Sequence, residues 1–379
     1  MNIQSFAMPL AAYVNPTAYG DLAGANLWIW IVSHVFFDQK FITIFSMLFG
    51  AGIVLMASRA GDDAAQLHRH RMGWLIVFGL AHAYLLWYGD ILFAYAVCGL
   101  LVFPLRDRGP RFLLVLAAAL IVIGSLATVA FGLSMASVPP TEAAFDSWNP
   151  SAETLAREID AYRGGFVEQL RFRVPEALEF QTLYMILFGV WRVCGVMLLG
   201  MALFRLDVLT ARRAARVFAA LAAGGFAIGL PLVIEGVRQN FAHAWSPGYA
   251  MFFGTLWNYW GSVAMAIGWT GLLLLLLRLG WLSVAAGALA AVGRMAFTNY
   301  ILQTIICTTI FYGHGLGWFG SVDRTGQILL VIAICALQLA ISPIWLRHFA
   351  YGPLEWGWRR LTYGGIRNTA HRMQDSQGR

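Results

Sequence analysis

The chain has 379 residues, 59% hydrophobic and only 12% charged, with a mean hydropathy of +0.67. That is about half the charge of an ordinary soluble protein, and a soluble fold has no interior able to hide so much apolar surface. The net charge of +7 comes from 26 basic residues, of which Lys40 is the single lysine, set mostly in short loops; this placement reads as membrane topology and argues against nucleic-acid binding.

Residues 1–39 are mostly uncharged, and Pro9, Pro16, Gly20 and Gly24 break any long helix before Leu27 to Phe37, a piece too short to span. No basic n-region or small-residue cleavage site marks a signal peptide. From Phe41 onward the apolar runs predict nine spans, at 41–58, 72–88, 91–105, 111–135, 178–204, 213–236, 250–279, 284–312 and 326–346. The second and third are short and meet at Gly89-Asp90, which predicts a helical hairpin just long enough to reach across a hydrocarbon core of roughly 30 Å. Arg69 and Arg71 precede this hairpin and Arg106, Arg108 and Arg111 follow it, so its open ends are expected in the cytoplasm. Alternating from there, the inner segments hold 17 of the 26 basic residues, seven lie outside, and Arg192 and Arg294 lie within spans. The expectation is an all-α polytopic helical bundle, a single integral membrane domain of a bacterial inner membrane, with residues 347–379 as a cytoplasmic tail.

The one long loop, 136–177, falls on the outer side. Asn149-Pro150 predicts a helix start, and Leu155, Ile159, Tyr162 and Phe166 recur at helical spacing up to an interruption at Gly164-Gly165. An amphipathic helix on the membrane surface or over an outer cavity fits this pattern equally with a solvated connector having one apolar face. Gly225 and Gly229, four apart, suit close helix packing in lipid. The four cysteines lie in apolar runs without metal-ligand spacing or a disulfide framework, His68 and His70 do not share a helix face, and no metal site is expected.

Arg192 lies near the centre of its span, where a charge is costly and must face protein. It pairs either with Asp90, Glu179, Glu235 or backbone carbonyls, or with an anionic or polar ligand in a wet cavity. Arg294 sits nearer the inner third and can snorkel. On the same expected helix, Thr298 lies 40° from Arg294, and Asn299 and Gln303 form a second polar strip. His34, Asp38 and Lys40 cluster before the first span; His82, Asp90, Glu179, Glu235, Arg238 and His314 are also biased outward. Together they point to a polar site open to the outer side. The glycine-rich run Gly313 to Gly317 reads as an outer turn, since no strand precedes it.

Several stretches carry a resemblance: Gly293-Arg294-Met295-Ala296-Phe297-Thr298-Asn299-Tyr300, Tyr312 to Gly317, Ser342-Pro343-Ile344-Trp345-Leu346-Arg347, Gly352-Pro353-Leu354-Glu355-Trp356, and, nearer the start, Phe45 to Gly52, Gly79-Leu80-Ala81-His82 and Trp87 to Leu92. Over nearly its whole length the chain resembles the YeiB-like family of bacterial multi-pass membrane proteins. That family is distantly similar to membrane acyltransferases of the heparan glucosaminide acetyltransferase and glycan O-acyltransferase type, which move an acyl group from cytoplasmic acyl-CoA to an acceptor across the membrane. In those enzymes the first span carries an arginine followed eleven residues later by His or Asn. Asn2 resembles that last position, so the resemblance implies a tenth span beginning upstream of residue 1.

The leading expectation is acyl transfer to an envelope glycan or small-molecule acceptor. His82 or His34 acts as base, Asp90 orients it, Arg192 holds an anion or polarised carbonyl, and Asn2 donates to an oxyanion. Arg294, Asn299 and Gln303 are candidate substrate contacts, and acyl-CoA is a donor substrate with no permanently bound cofactor. A transporter or channel for a small polar or anionic solute, and a non-catalytic assembly or lipid-binding protein, remain the alternatives.

Overall fold

A computed structural model describes residues 2–136 and 147–364, in which there are helices and no strand. Two short helices, α1 (Ile3–Ala7) and α2 (Leu10–Val14), are separated by Met8-Pro9 and bury Phe6, Ala7, Ala11 and Ala12 against the bundle, and α3 (Gly24–Phe36) follows. Then come α4 (Lys40–Ala60), α5 (Ala64–Leu85), α6 (Leu92–Val102) and α7 (Pro110–Ala136). Helices α8 (Ala152–Arg163) and α9 (Phe166–Glu179) meet at Gly164-Gly165 as expected. Helix α9 continues through a π-helical stretch, Phe180–Gly189, into α10 (Val190–Arg205). Helix α11 (Ala215–Ala242) leads to the single turn α12 (Pro247–Tyr249) and, through the π turn Ala250–Gly254, to α13 (Thr255–Arg278). The chain ends in α14 (Ser283–Arg294), α15 (Ala296–Phe311), α16 (Arg324–His348) and α17 (353–364).

Six of these helical stretches are long and apolar enough to cross a membrane, and Leu92–Leu105, α14 and α15 are shorter apolar helices. The protein is an all-α polytopic membrane bundle. Helix occupies each of the nine expected spans among the described residues, but the run 284–312 is two helices. The chain breaks at Met295, whose φ/ψ of −109°/25° is outside the helical well. Arg294 and Thr298 therefore do not share a helix, and the angle between them read from a continuous helix does not apply.

Helix contact in the bundle depends on glycine where backbones touch. A Cβ at Gly50 of α4 would overlap the Met197 carbonyl of α10, and one at Gly200 would overlap that of Met47, so this pair approaches through glycine on both sides. The spacing at Gly225 and Gly229 has the same use: each faces α13, against Gly268 and Gly261.

The arginine-rich loops gather at one end. Arg205 donates to the Arg106 carbonyl, Arg278 to Ala211, and Trp358 of α17 to Arg71. At the opposite end Gly313 N–H donates to Tyr162 of α8, Gly320 to Ala7, and Arg324 to Pro16 and Asp21. Helix α8 starts two residues later than its sequence implied. Ser151, not Asn149, caps it, accepting from Thr154 N–H at 3.1 Å. It packs against protein, with Tyr162 and Glu158 buried, the latter accepting from Leu10 N–H at 2.9 Å. Residues 137–146 of the 136–177 loop and 365–379 of the expected tail lie outside the described residues.

Candidate functional site

Two polar clusters lie in the half of the bundle away from the arginine-rich end. The first forms where α5, α6 and α15 meet. His82 Nδ1 is 2.9 Å from Asp90 Oδ1, and His82 Nε2 is 2.9 Å from the Thr304 hydroxyl. The other oxygen of Asp90 accepts from Phe93 N–H at 2.8 Å, capping the first turn of α6. A Cβ at Gly79 would overlap Phe93 N and crowd Asp90, so glycine there lets the two helices close on the carboxylate. A carboxylate, an imidazole and a hydroxyl thus stand in one hydrogen-bonded line. The line is sealed: His82 is 2% exposed and Asp90 1%, and Phe6 of α1 stacks on Trp87 at 4.3 Å, with Trp87 edge-on to the imidazole.

The second cluster lies between α3, α4, α10 and α13. His34 Nδ1 stands 3.2 Å from Asp38 Oδ2, one helical turn on, and its ring stacks on Trp30. Lys40 is fully buried; its ammonium donates to the His34 carbonyl and to Asn258 Oδ1, both at 2.6 Å. Arg192 donates to the Tyr259 carbonyl at 2.7 Å, to Ser262 at 2.7 Å and to Thr43 at 3.3 Å, and its guanidinium lies 4.3 Å from the centre of the Tyr259 ring. Of the partners considered for it, only the backbone carbonyl is present. No carboxylate bonds to Arg192 or Lys40 among the described residues, although the charge of Asp38 acts on Lys40. Glu235 pairs with Arg238, and Asp90 with His82.

Tyr13 and Tyr184 lie within electrostatic reach of Asp38, and Tyr184 also of Arg192, and both rings keep accessible surface, 38% for Tyr13 and 49% for Tyr184. Arg192 is separated from Arg205, at the basic end of α10, by thirteen positions, about 20 Å of helix. At that end two clefts adjoin, one of about 670 Å³ lined by Arg205 and Arg212 and one of about 240 Å³ lined by Arg106 and Arg205.

The remaining candidates are tied into structure. Asn299 donates to the Val292 carbonyl and to Ser342, Gln303 donates to Gln338, and Gln338 donates back to the Asn299 carbonyl, which locks α15 to α16. Arg294 is exposed and holds the Ala350 carbonyl at 2.9 Å. Asn2 precedes α1, where its carbonyl accepts from Ser5 and its side chain caps nothing. His68 is bound to the Gly99 carbonyl, and among the described residues no three metal-ligating side chains converge.

Thr304, Thr43, Asn258, Ser262, Tyr13 and Tyr184 were not apparent as site residues. A signal existed for three of them, since Tyr300 and Thr304, and Asn258 and Ser262, are polar pairs four apart in otherwise apolar helices. Glu355 was also missed as a functional group of the fold. Its carboxylate accepts from the N–H of Phe297 at 2.7 Å and of Thr298 at 3.0 Å, and from the Thr298 hydroxyl, so it caps α15 where the span breaks. The Gly293 to Tyr300 and Gly352 to Trp356 motifs therefore meet as one joint.

Compared with known proteins, the chain is 32% identical to Uncharacterized protein YeiB of Escherichia coli (strain K12), over 96% of this chain and 91% of that one. The chain belongs to the YeiB-like family. It is also 29% identical to Uncharacterized protein YxaH of Bacillus subtilis (strain 168), over 93% of this chain and 85% of that one. Residues 203–365 match the family described as Protein of unknown function (DUF418). That region runs from the end of α10 to α17 and includes Asn258 and Ser262 of the second cluster and the joint at Glu355, while Lys40 and Arg192 precede it. No solved structure matches the chain significantly.

Proposed function

We propose that this YeiB-like protein is an acyltransferase of the bacterial inner membrane. It moves an acyl group from cytoplasmic acyl-CoA to a hydroxyl or amine on an envelope glycan or small molecule that enters from the opposite side. The observation that carries this reading is the His34–Asp38 pair, 3.2 Å apart and partly accessible, in the same polar cluster as Lys40 and Arg192. Histidine titrates near neutrality, and a carboxylate on Nδ1 leaves Nε2 free to take a proton. The acceptor oxygen or nitrogen gives its proton to His34 as it bonds to the acyl carbon; the carbon–sulfur bond breaks and the CoA thiolate recovers that proton from His34. Arg192 stabilises the oxyanion that develops between these events. Arg106, Arg205 and Arg212 line the clefts suited to the phosphates of CoA. His82 is less suited to the role of base, because both its nitrogens are engaged and it has almost no exposure.

Purified protein is expected to bind acyl-CoA and turn it over with an acceptor extract, and His34→Ala is expected to keep binding while losing at least a hundredfold in turnover, the scale of general-base catalysis. Wild-type protein that does not bind acyl-CoA, or His34→Ala with wild-type turnover, defeats the reading.

A second reading, passage of a small anion, is favoured by Lys40 and Arg192, two cations in one cluster that bond no carboxylate among the described residues. Transporters commonly present the bare N-terminus of a broken helix to an anion. Here Glu355 occupies that position on α15, which weighs against the second reading.

A further inference from the structure

We infer that the polar cluster between α4, α10 and α13 is a binding site for an oxyanion, a carboxylate or phosphate carried by a small molecule, formed by Lys40, Arg192 and Asn258. The inference rests on this cluster of donors and not on acyl transfer, and it applies equally to an acceptor or to a passing solute. Lys40 is the first residue of α4, the positive end of a 21-residue helix dipole, with no acidic residue in the first turn and no side-chain cap. A buried cation there is electrostatically misplaced, and Arg192 lies close enough to add to the repulsion. Arg192 meets only neutral acceptors, and Asp38, the carboxylate nearest Lys40, is engaged by His34. The charge of Asp38 acts on Lys40, but the pair of cations has one carboxylate between them, and burying the second charge unmatched is costly unless something supplies an anion.

The orphan atom beside them has the same polarity. Asn258 turns its oxygen to the Lys40 ammonium, which fixes the orientation of the amide, and its buried Nδ2 is left without a partner. An ammonium bonded to two acceptors has one proton to spare. The unmet groups are therefore all donors, two of them on charged side chains, gathered where α4, α10 and α13 meet. An oxyanion with several lone pairs fits this set; a cation or an apolar ligand does not.

The full chain, purified in an uncharged detergent, is melted by tryptophan fluorescence against inorganic phosphate or acetate, with sodium chloride holding ionic strength constant. Wild type is expected to show a saturable rise in Tm of about 2 °C at ten times the apparent Kd. Lys40→Met and Arg192→Gln are expected to lose it. Asn258→Asp places the missing charge next to Lys40 and does not depend on a cavity being tolerated; it is expected to raise Tm without ligand and abolish the response. Nanodiscs separate the sources: if a lipid headgroup is the oxyanion, phosphatidylglycerol raises Tm over phosphatidylcholine and removes the phosphate response, whereas a soluble ligand's site keeps it. No saturable rise in wild type in either medium, or Asn258→Asp that lowers Tm and keeps the phosphate response, overturns the site.

Discussion

Asp90 holds His82 across the α5–α6 turn, Oδ1 to Nδ1 at 2.9 Å, while its second oxygen caps α6 through Phe93 N–H. One carboxylate thus sets the orientation of a buried ring and the start of a helix. Removing it leaves the imidazole without its partner, so Asp90→Ala is expected to destabilise the protein by about 3–5 kcal/mol, the scale for breaking a buried pair. Asp90→Asn, which still caps, is expected to cost less. A double-mutant cycle with His82→Phe, read by equilibrium unfolding in detergent, is expected to give roughly 1–3 kcal/mol of coupling. Additive effects would contradict the pairing.

Glu158 makes stability depend on pH. Burial pushes its carboxyl up to about 7 from an ordinary 4.5, against the Leu10 N–H bond and with help from nearby Glu176. The folded state then holds the proton more tightly than the unfolded chain. Its stabilising contribution is complete below about pH 4.5 and is lost as pH rises to about 7. The loss is of order 3 kcal/mol. Glu158→Gln keeps an acceptor for Leu10 and is expected to flatten this part of the profile. Parallel thermal melts of both proteins between pH 5 and pH 8 check it, and curves that run parallel throughout would remove Glu158 as the cause.

Glu355 closes the break at Met295 by its bonds to Phe297 and Thr298, 58 and 57 residues before it. Glu355→Ala uncovers the first amides of α15 and is expected to cost about 1–2 kcal/mol. Hydrogen exchange should quicken at Phe297 and Thr298 first, ahead of the middle of α15. Uniform quickening would point to global loosening and away from a cap.

The arginine-rich end is expected to face the cytoplasm. In a background free of reactive cysteines, Asp63→Cys should resist an impermeant thiol reagent in intact cells and Glu153→Cys, in α8, should react. The reverse pattern inverts the orientation.

Much of the fold was readable from local chemistry. Apolar runs too long and too uncharged for a soluble core had to become membrane helices, and arginine in alternate loops required those loops to share an end, as the contact of Arg205 with the Arg106 loop demonstrates. The four-residue spacing of Gly225 and Gly229 announced a close helix contact. Helix start positions were less certain, since Ser151 displaced Asn149 as the cap of α8 by two residues.

Sequence by itself determined a membrane-spanning all-α bundle, because hydropathy and charge act residue by residue along the chain. It also marked His34, His82, Asp90 and Arg192 as costly groups that needed partners. Only the tertiary structure decided which partners. Asp90 went to His82 while Asp38 took His34; Arg192 found a carbonyl and two hydroxyls; and the apolar run 284–312 was broken at Met295 by a carboxylate from α17. The first two join residues eight and four apart through the turns that end α5 and α3, whereas the partners of Arg192 and Glu355 depend on which helix faces approach one another across dozens to more than a hundred intervening residues, and a pattern with a period of 3.6 carries no record of what lies opposite.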